Sequence, residues 1–260
     1  MIKCPVCAGG SSVIWRERQH RLYRCRKCRI VFLHPVPKNS SAIYNEDYFR
    51  KWYIGYYPQR KAYIEKLFSG IEQYAGTKGK MLDVGCGAGI LLDVAKESGW
   101  EVFGQDVSSF AVDYCRGKGL EVYACSLTEL NLPENSFDLI TMFDVIAHLG
   151  DPVSYLKSCT RLLKPGGYLA IKTPYHPPSL FLLANLLSFT GKSRSLLHVP
   201  AQIFHFDRSS LENINLSSGY RLFNLMKIKD FYSLQSVNFF HIIIKCFKNE
   251  YSLLTVWMKA

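Results

Sequence analysis

From Lys80 onward the chain alternates β-type apolar runs with helical stretches, and no other feature narrows its fold as much. The strand candidates are Lys80–Val84, Glu101–Gln105, Leu120–Ala124, Phe137–Phe143 and Gly167–Thr173. Helical spacing lies between them near Ile90–Ser98, Ser109–Lys118 and Pro152–Leu163. A parallel neighbour is reached only through a crossover, so this rhythm predicts a mostly parallel sheet with helices on both faces. Leu211–Ser218 predicts one more helix, and Gly219–Lys229 with Leu253–Lys259 a closing antiparallel pair. The expectation is an α/β, Rossmann-like, seven-stranded sheet over residues 80–260. Pro174–His205 interrupts the rhythm after a strand's carboxyl end, where open α/β sheets bind ligands. A lid over a substrate is the preferred reading of this insertion, with core packing or contact with a membrane surface left open.

The first 79 residues follow another rule. Cys4-Pro5-Val6-Cys7 and Cys25-Arg26-Lys27-Cys28 form a C-x2-C-x17-C-x2-C pattern. Two such knuckles aim four thiolates at one tetrahedral ion, which predicts structural zinc on Cys4, Cys7, Cys25 and Cys28. With four protein ligands the ion keeps no open position for catalysis. Cys86, Cys115, Cys125, Cys159 and Cys246 are scattered singly and read as ordinary reduced residues. The expected lobes are 1–37 for the zinc-ribbon-like region and 38–79 for a helical linker. The linker carries Tyr44–Phe49, Trp52, Tyr53, Tyr56 and Tyr57, aromatics that either pack the linker on the core or wall a pocket. Gln59–Tyr74 has helical spacing and ends at Gly76-Thr77-Lys78-Gly79.

Charge divides the chain in the same place. Residues 1–66 hold 14 Lys/Arg against 4 Asp/Glu, while residues 67–260 hold 18 against 17. A lobe this basic attracts RNA, anionic lipid or a phosphorylated substrate. The longest apolar runs, Ser179–Leu187 and Phe239–Ile244, fall short of the ~18 residues of a membrane span. No signal-peptide pattern opens the chain, so a cytoplasmic location is expected.

The chemistry concentrates in Leu82-Asp83-Val84-Gly85-Cys86-Gly87-Ala88-Gly89, a turn from strand to helix. Its glycines admit a ligand where a Cβ would clash. It lacks the Gly-Lys-Ser/Thr of a phosphate-binding P-loop, and its third glycine comes one position early for G-x-G-x-x-G. Gly104-Gln105-Asp106-Val107-Ser108, Cys125-Ser126-Leu127, Phe137–Leu149 and Leu163-Lys164-Pro165-Gly166-Gly167 follow in order. Together these segments resemble the class I S-adenosylmethionine-dependent methyltransferases. The resemblance implies that Asp83 anchors the methionine amino group and that Gly85, Cys86, Gly87 and Gly89 line the cofactor. Asp106 would grip both ribose hydroxyls, with Val107, Ser126 and Leu127 near the adenine and Phe143 beside the methionine. The adenine-side match is weaker, because the family's frequent Asp is absent after the third strand.

His148 is the candidate catalytic base, since a neutral imidazole can take a proton from an acceptor hydroxyl. A structural histidine is the equal alternative, and His176 and His205 are lesser candidates. The zinc region with this core resembles bacterial methyltransferases of small molecules and sugars. Some sugar C-methyltransferases begin this way but carry a further C-terminal domain, for which 260 residues leave no room. The expected acceptor is therefore a hydroxyl of a sugar, glycolipid precursor or related metabolite. The rivals are an rRNA methyltransferase that uses the basic lobe, and a non-catalytic zinc-ribbon module on a degenerate scaffold. No N/D-P-P-Y/F tetrapeptide supports the nucleic-acid reading. The sequence leaves the oligomeric state open.

Overall fold

The computed structural model describes residues 1–36, 46–191, 193–229 and 251–259. Two antiparallel strands, β1 (Ser11–Glu17) and β2 (His20–Cys25), form a hairpin that β3 (Val31–Leu33) extends. A short helix α1 (Glu46–Phe49), one π-turn and the long α2 (Tyr57–Ala75) lead into the core. The core strands are β4 (Lys80–Val84), β5 (Glu101–Asp106), β6 (Glu121–Ala124), β7 (Phe137–Phe143) and β8 (Leu163–Pro174). Between them run α3 (Ile90–Glu97), α4 (Ser109–Gly117) and α5 (Pro152–Leu162). After β8 come α6 (Pro178–Leu187), α7 (Ser193–Leu196), β9 (Phe204–His205) and α8 (Arg208–Leu216). The chain closes with β10 (Tyr220–Lys229) and β11 (Tyr251–Lys259).

The seven-stranded sheet has the order β10-β11-β8-β7-β4-β5-β6. Its five core strands pair in parallel, and β11 runs antiparallel between β8 and β10. The fold is thus the expected Rossmann-like α/β sheet. Strand β4 reads Met81-Leu82-Asp83-Val84 with every side chain buried, as suits a strand covered on both faces. Helix starts follow capping chemistry. Asp151 accepts the Ser154 N–H at 3.1 Å ahead of Pro152, and Asp207 accepts that of Ser210 at 2.8 Å. At the lower edge Asp138 accepts the Lys80 N–H at 2.8 Å and the Lys164 ammonium at 2.8 Å. One carboxylate thereby fixes the starts of β4 and β8 against β7.

The insertion behaves differently from the expected lid. Leu180, Phe181 and Ala184 of α6 bury themselves against Trp15, Leu22 and Leu33 of the N-terminal sheet. Asn185 donates to the Ile14 carbonyl at 2.7 Å, holding the helix along β1. One face of α6 is thereby committed to the N-terminal sheet instead of closing over a substrate. Strand β9 then pairs antiparallel with β3, so the N-terminal sheet takes its fourth strand from beyond residue 200. The expected boundary at 37/38 and part of Tyr44–Phe49 lie outside the described residues, as do Cys246 and Phe239–Ile244. No helix among the described residues is long and apolar enough to cross a membrane.

One buried ion pair secures the contact between lobe and insertion. Glu17, 2% exposed, pairs with Arg194 at 2.9 Å and accepts the Ser193 hydroxyl, which in turn accepts the Trp15 indole N–H at 3.0 Å. Removing one partner of such a pair strands the other's charge. Arg194→Ala should therefore lower the unfolding free energy by about 2–3 kcal/mol, measured by denaturant titration.

Candidate active site and candidate metal centre

The turn from β4 to α3 has three glycines at positive φ: Gly85 at 69°, Gly87 at 52° and Gly89 at 67°. Space reinforces the requirement at Gly85, where a Cβ would stand 2.4 Å from the Val145 side chain. The end of β5 holds this turn. Gly85 and Cys86 donate their N–H groups to the Gln105 carbonyl at 2.7 and 3.0 Å, and Gly87 donates to Asp106 Oδ2 at 2.9 Å. Asp106 Oδ1 accepts the Ser108 N–H at 2.9 Å, so backbone donors fix the plane of its carboxylate. Burial pushes its pKa up, with these backbone donors opposing the shift.

A cleft opens above the turn, lined by Asp83, Gly85, Cys86 and Phe143 from the sequence-derived set. Asp83 is 4% exposed and accepts the Thr141 hydroxyl at 2.7 Å. Burial raises its pKa to about 7, with the nearby Asp106 adding to the rise. The remaining cofactor candidates, Asp106 included, are not among the residues that line this cleft. Gly87 and Gly89 complete the turn, and Val107 is exposed beyond β5. Ser126 hydrogen-bonds Tyr155 at 3.0 Å, while Leu127 is fully buried in the core beneath it.

His148 ends a 3-10 turn after β7 and is not among the residues lining the cleft. Its Nδ1 meets the Ala201 carbonyl at 2.8 Å. A carbonyl only accepts, so Nδ1 carries the proton of the neutral ring and Nε2 keeps its lone pair. Burial lowers its pKa and favours that neutral form. His176 and His205 stand apart from the cleft, buried edge-to-face at 4.6 Å in the junction with the lobe. Burial pushes His205 down to about 4.

Sequence reasoning named Tyr53 among its wall candidates but missed Arg60, Tyr63, Ile64, Asp144 and Lys172 as cleft residues. Tyr53, Arg60, Tyr63 and Ile64 form its outer wall, and Asp144 with Lys172 its edge. Arg60 lies over the Tyr53 ring at 4.6 Å, and Tyr53 stacks on Phe49 at 5.5 Å. Tyr53 therefore both packs on its neighbours and walls the cleft. Lys172 is 2% exposed and pairs with Asp144 at 2.7 Å, and Asp144 takes a positive φ of 59°. A signal was available, since Lys172 is the one charge inside the apolar run of β8 above its first turn.

The four N-terminal thiols converge as their spacing implied. Their sulfurs all lie within 4.8 Å of one another, with Cys4–Cys28 at 3.6 Å and Cys7–Cys25 at 3.4 Å. Tetrahedral zinc with bonds of about 2.3 Å needs edges of about 3.8 Å, so the cluster fits that ion. Each knuckle aims backbone N–H groups at its first sulfur: Val6 to Cys4 at 3.4 Å and Lys27 to Cys25 at 3.3 Å. The next residue after each knuckle, Ala8 or Arg29, has positive φ, and Gly9 passes where a Cβ would sit 3.2 Å from Cys25 Sγ. Cys86, Cys115, Cys125 and Cys159 are free thiols. Metal analysis should find one zinc per chain, and Cys25→Ser should reduce that occupancy and loosen the lobe to proteolysis.

Comparison with known proteins agrees with this geometry. Residues 82–171 match the family model described as a methyltransferase domain. The chain is 33% identical over 136 residues to a ubiquinone biosynthesis O-methyltransferase of Alkalilimnicola ehrlichii, covering 50% of this chain and 53% of the relative. The corresponding protein of Methylococcus capsulatus is 35% identical over 112 residues, covering 40% and 47%. The chain thus spans about half the length of the curated relatives it matches. Among solved structures it resembles a SAM-dependent methyltransferase from Archaeoglobus fulgidus with a TM-score of 0.58 at 19% identity, over 80% of this chain and 99% of that one. One from Thermotoga maritima gives 0.59 at 18% identity, over 83% and 98%. Fold, glycine turn and family match coincide on the same residues: residues 82–171 match a methyltransferase domain, set in the fold of solved S-adenosylmethionine-dependent methyltransferases.

Proposed function

We propose that this protein transfers a methyl group from S-adenosylmethionine to a hydroxyl of a small-molecule acceptor. The observation that carries the reading is a cleft that joins the glycine turn and Asp83 to an outer wall of Tyr53, Arg60 and Tyr63. S-adenosylmethionine supplies an electrophilic methyl on a sulfonium. In this reading Asp83 receives the methionine ammonium, and Asp106 offers two acceptor oxygens to a vicinal diol. Gly85, Cys86, Gly87 and Gly89 leave room for the cofactor, with Phe143 beside its methionine end. Val107 and Ser126 form the adenine side, with Leu127 buried beneath them.

The outer wall supports a small acceptor over RNA. Aromatic side chains from α2 and the preceding turn border the cleft, and such a wall excludes water and fits a compact ligand. A sugar or glycolipid precursor remains the finer proposal. The relatives named for ubiquinone biosynthesis add small phenols to the candidates. Zinc on Cys4, Cys7, Cys25 and Cys28 holds the lobe together and takes no part in the transfer.

The deciding screen offers labelled S-adenosylmethionine with sugar nucleotides, small phenols and ribosomal RNA. Methylation of a small hydroxyl compound is expected. Transfer to ribosomal RNA, with binding that weakens steeply in salt, would replace this reading with the nucleic-acid one. Failure to bind the cofactor would leave the non-catalytic scaffold.

Two further outcomes are specific to single residues. Asp106→Ala should weaken cofactor binding by about 1.5–3 kcal/mol in calorimetry. Because burial holds Asp83 near pKa 7, the free protein is partly protonated there at neutral pH. An ammonium prefers the carboxylate, so cofactor affinity should rise as pH goes from about 6 to 8, and Asp83→Asn should flatten that rise. For stability the sign is opposite. Asp83 protonates more readily folded than unfolded, so its contribution is full below about pH 4 and is lost as pH rises through 7.

For His148 acting as base, His148→Ala should lower kcat by about 10²–10⁴-fold with cofactor affinity unchanged. Its lowered pKa puts the acid limb of kcat below pH 6.5. A loss of only a few-fold, with that limb intact, assigns His148 a structural role.

A further inference from the structure

The face of α6 turned away from the N-terminal sheet presents Leu182 at 69% exposure and Leu186 at 68%, and Phe189 follows one turn later at 85%. Their i, i+4, i+7 spacing sets them on one helical stripe. The other exposed large hydrophobics among the described residues are scattered: Met1, Val36, Val107 and Tyr251. Three apolar side chains in one exposed row cost solvation unless something covers them.

The surroundings of this stripe identify the occupant. Between Asp151 and Asp207, the stretch that includes α6, the sequence contains no Asp or Glu. Residues 1–36 hold eight Lys/Arg and one acid, Glu17, which is buried against Arg194. The β1–β2 hairpin beside the stripe ends in exposed Arg16, Arg18 and Arg21. The Arg18 guanidinium reaches within 4.0 Å of where a Gly191 Cβ would stand, two residues beyond Phe189. Arg16 stands directly across the ladder from Arg21, a like-charge pair that an anionic surface would relieve.

We propose that this surface docks the protein on an anionic lipid bilayer, with Leu182, Leu186 and Phe189 entering the interface and the hairpin arginines meeting headgroup phosphates. An apolar row and a flanking cation cluster are the two signals that reversible bilayer binding needs together. A ten-residue helix lies in the interface rather than spanning it. The inference is independent of the acceptor and of methyl transfer.

Co-sedimentation of the full chain with vesicles tests it, comparing phosphatidylcholine alone with phosphatidylcholine containing one-third phosphatidylglycerol. Binding to the anionic vesicles alone, weakened by salt, is expected. The triple variant Leu182→Ser, Leu186→Ser, Phe189→Ser should bind at least about tenfold more weakly, and Arg18→Glu should weaken binding too. All three side chains are exposed, so circular dichroism and cofactor titration should be unchanged. Should the triple variant misfold, Phe189→Trp alone suffices, its added emission shifting to the blue on anionic vesicles. No binding, equal binding to both vesicles, or no shift at position 189 would overturn the proposal. So would a wild-type dimer that the triple variant splits in light scattering, since the stripe would then be an interface between copies.

Discussion

The candidate site depends on how the carboxyl end of β5 grips the turn after β4. Gln105 contributes a carbonyl to two turn N–H groups, and Asp106 contributes a carboxylate oxygen to a third. These bonds exist only while β4 and β5 keep their parallel register, Asp83 opposite Gly104 and Val84 opposite Gln105. A slip of one residue would exchange the two faces of β5 and lose the grip. Gly104 shows how tight the fit is, because a Cβ there would come within 2.8 Å of Leu92 and 2.9 Å of Cys86 Sγ. Strand, turn and α3 therefore move as one body, which is what a preorganised cofactor cradle requires.

The other end of the cleft is tied to the N-terminal lobe. Residues 201–206 form a strap: Ile203 donates to the Ala147 carbonyl at 2.8 Å, and Leu33 donates to the Ile203 carbonyl at 2.8 Å. Ala201 meets the His148 ring from the same strap. The segment after β7, which carries Asp144 and His148, is thus joined through Ile203, by two backbone hydrogen bonds, to the strand that follows the second cysteine knuckle. The N-terminal sheet is in this way held against the segment that carries Asp144 and His148, and the buried, stacked rings of Phe204 and Phe206 lie on the same strap.

Legibility in the sequence followed the range of the forces involved. The five core strands and their helices emerged to within a few residues, because each is written in local apolar pattern and turn chemistry. The cysteine cluster emerged from spacing alone, since a knuckle is a local structure that needs only a partner knuckle. Strand β9 did not, as two residues carry no periodicity and its pairing with β3 spans about 170 positions. The role of α6 was misread for a related reason. An apolar helix announces that it will be covered on one face, and only tertiary structure says that Trp15 and Leu22 do the covering. Arg60 and Tyr63 belong to the span read only as a helix, and it takes the tertiary structure to lay α2 along the cleft.

The buried ionisable groups of the chain divide by how their charge is met. Glu17 has Arg194 beside it, and Lys172 has Asp144, so each charge is offset within the protein. Asp83 has a hydroxyl from Thr141 and, among the described residues, no lysine or arginine in ion-pair range. A buried carboxylate met by one neutral donor answers by holding its proton, which is why it titrates near 7. That arrangement costs stability in the free protein at neutral pH and returns the cost to whatever cation enters the cleft. A site built to receive an ammonium gains affinity from leaving its carboxylate without an internal cation. Among the residues that line the cleft, Asp83 is the carboxylate left in this state, beside the glycine turn.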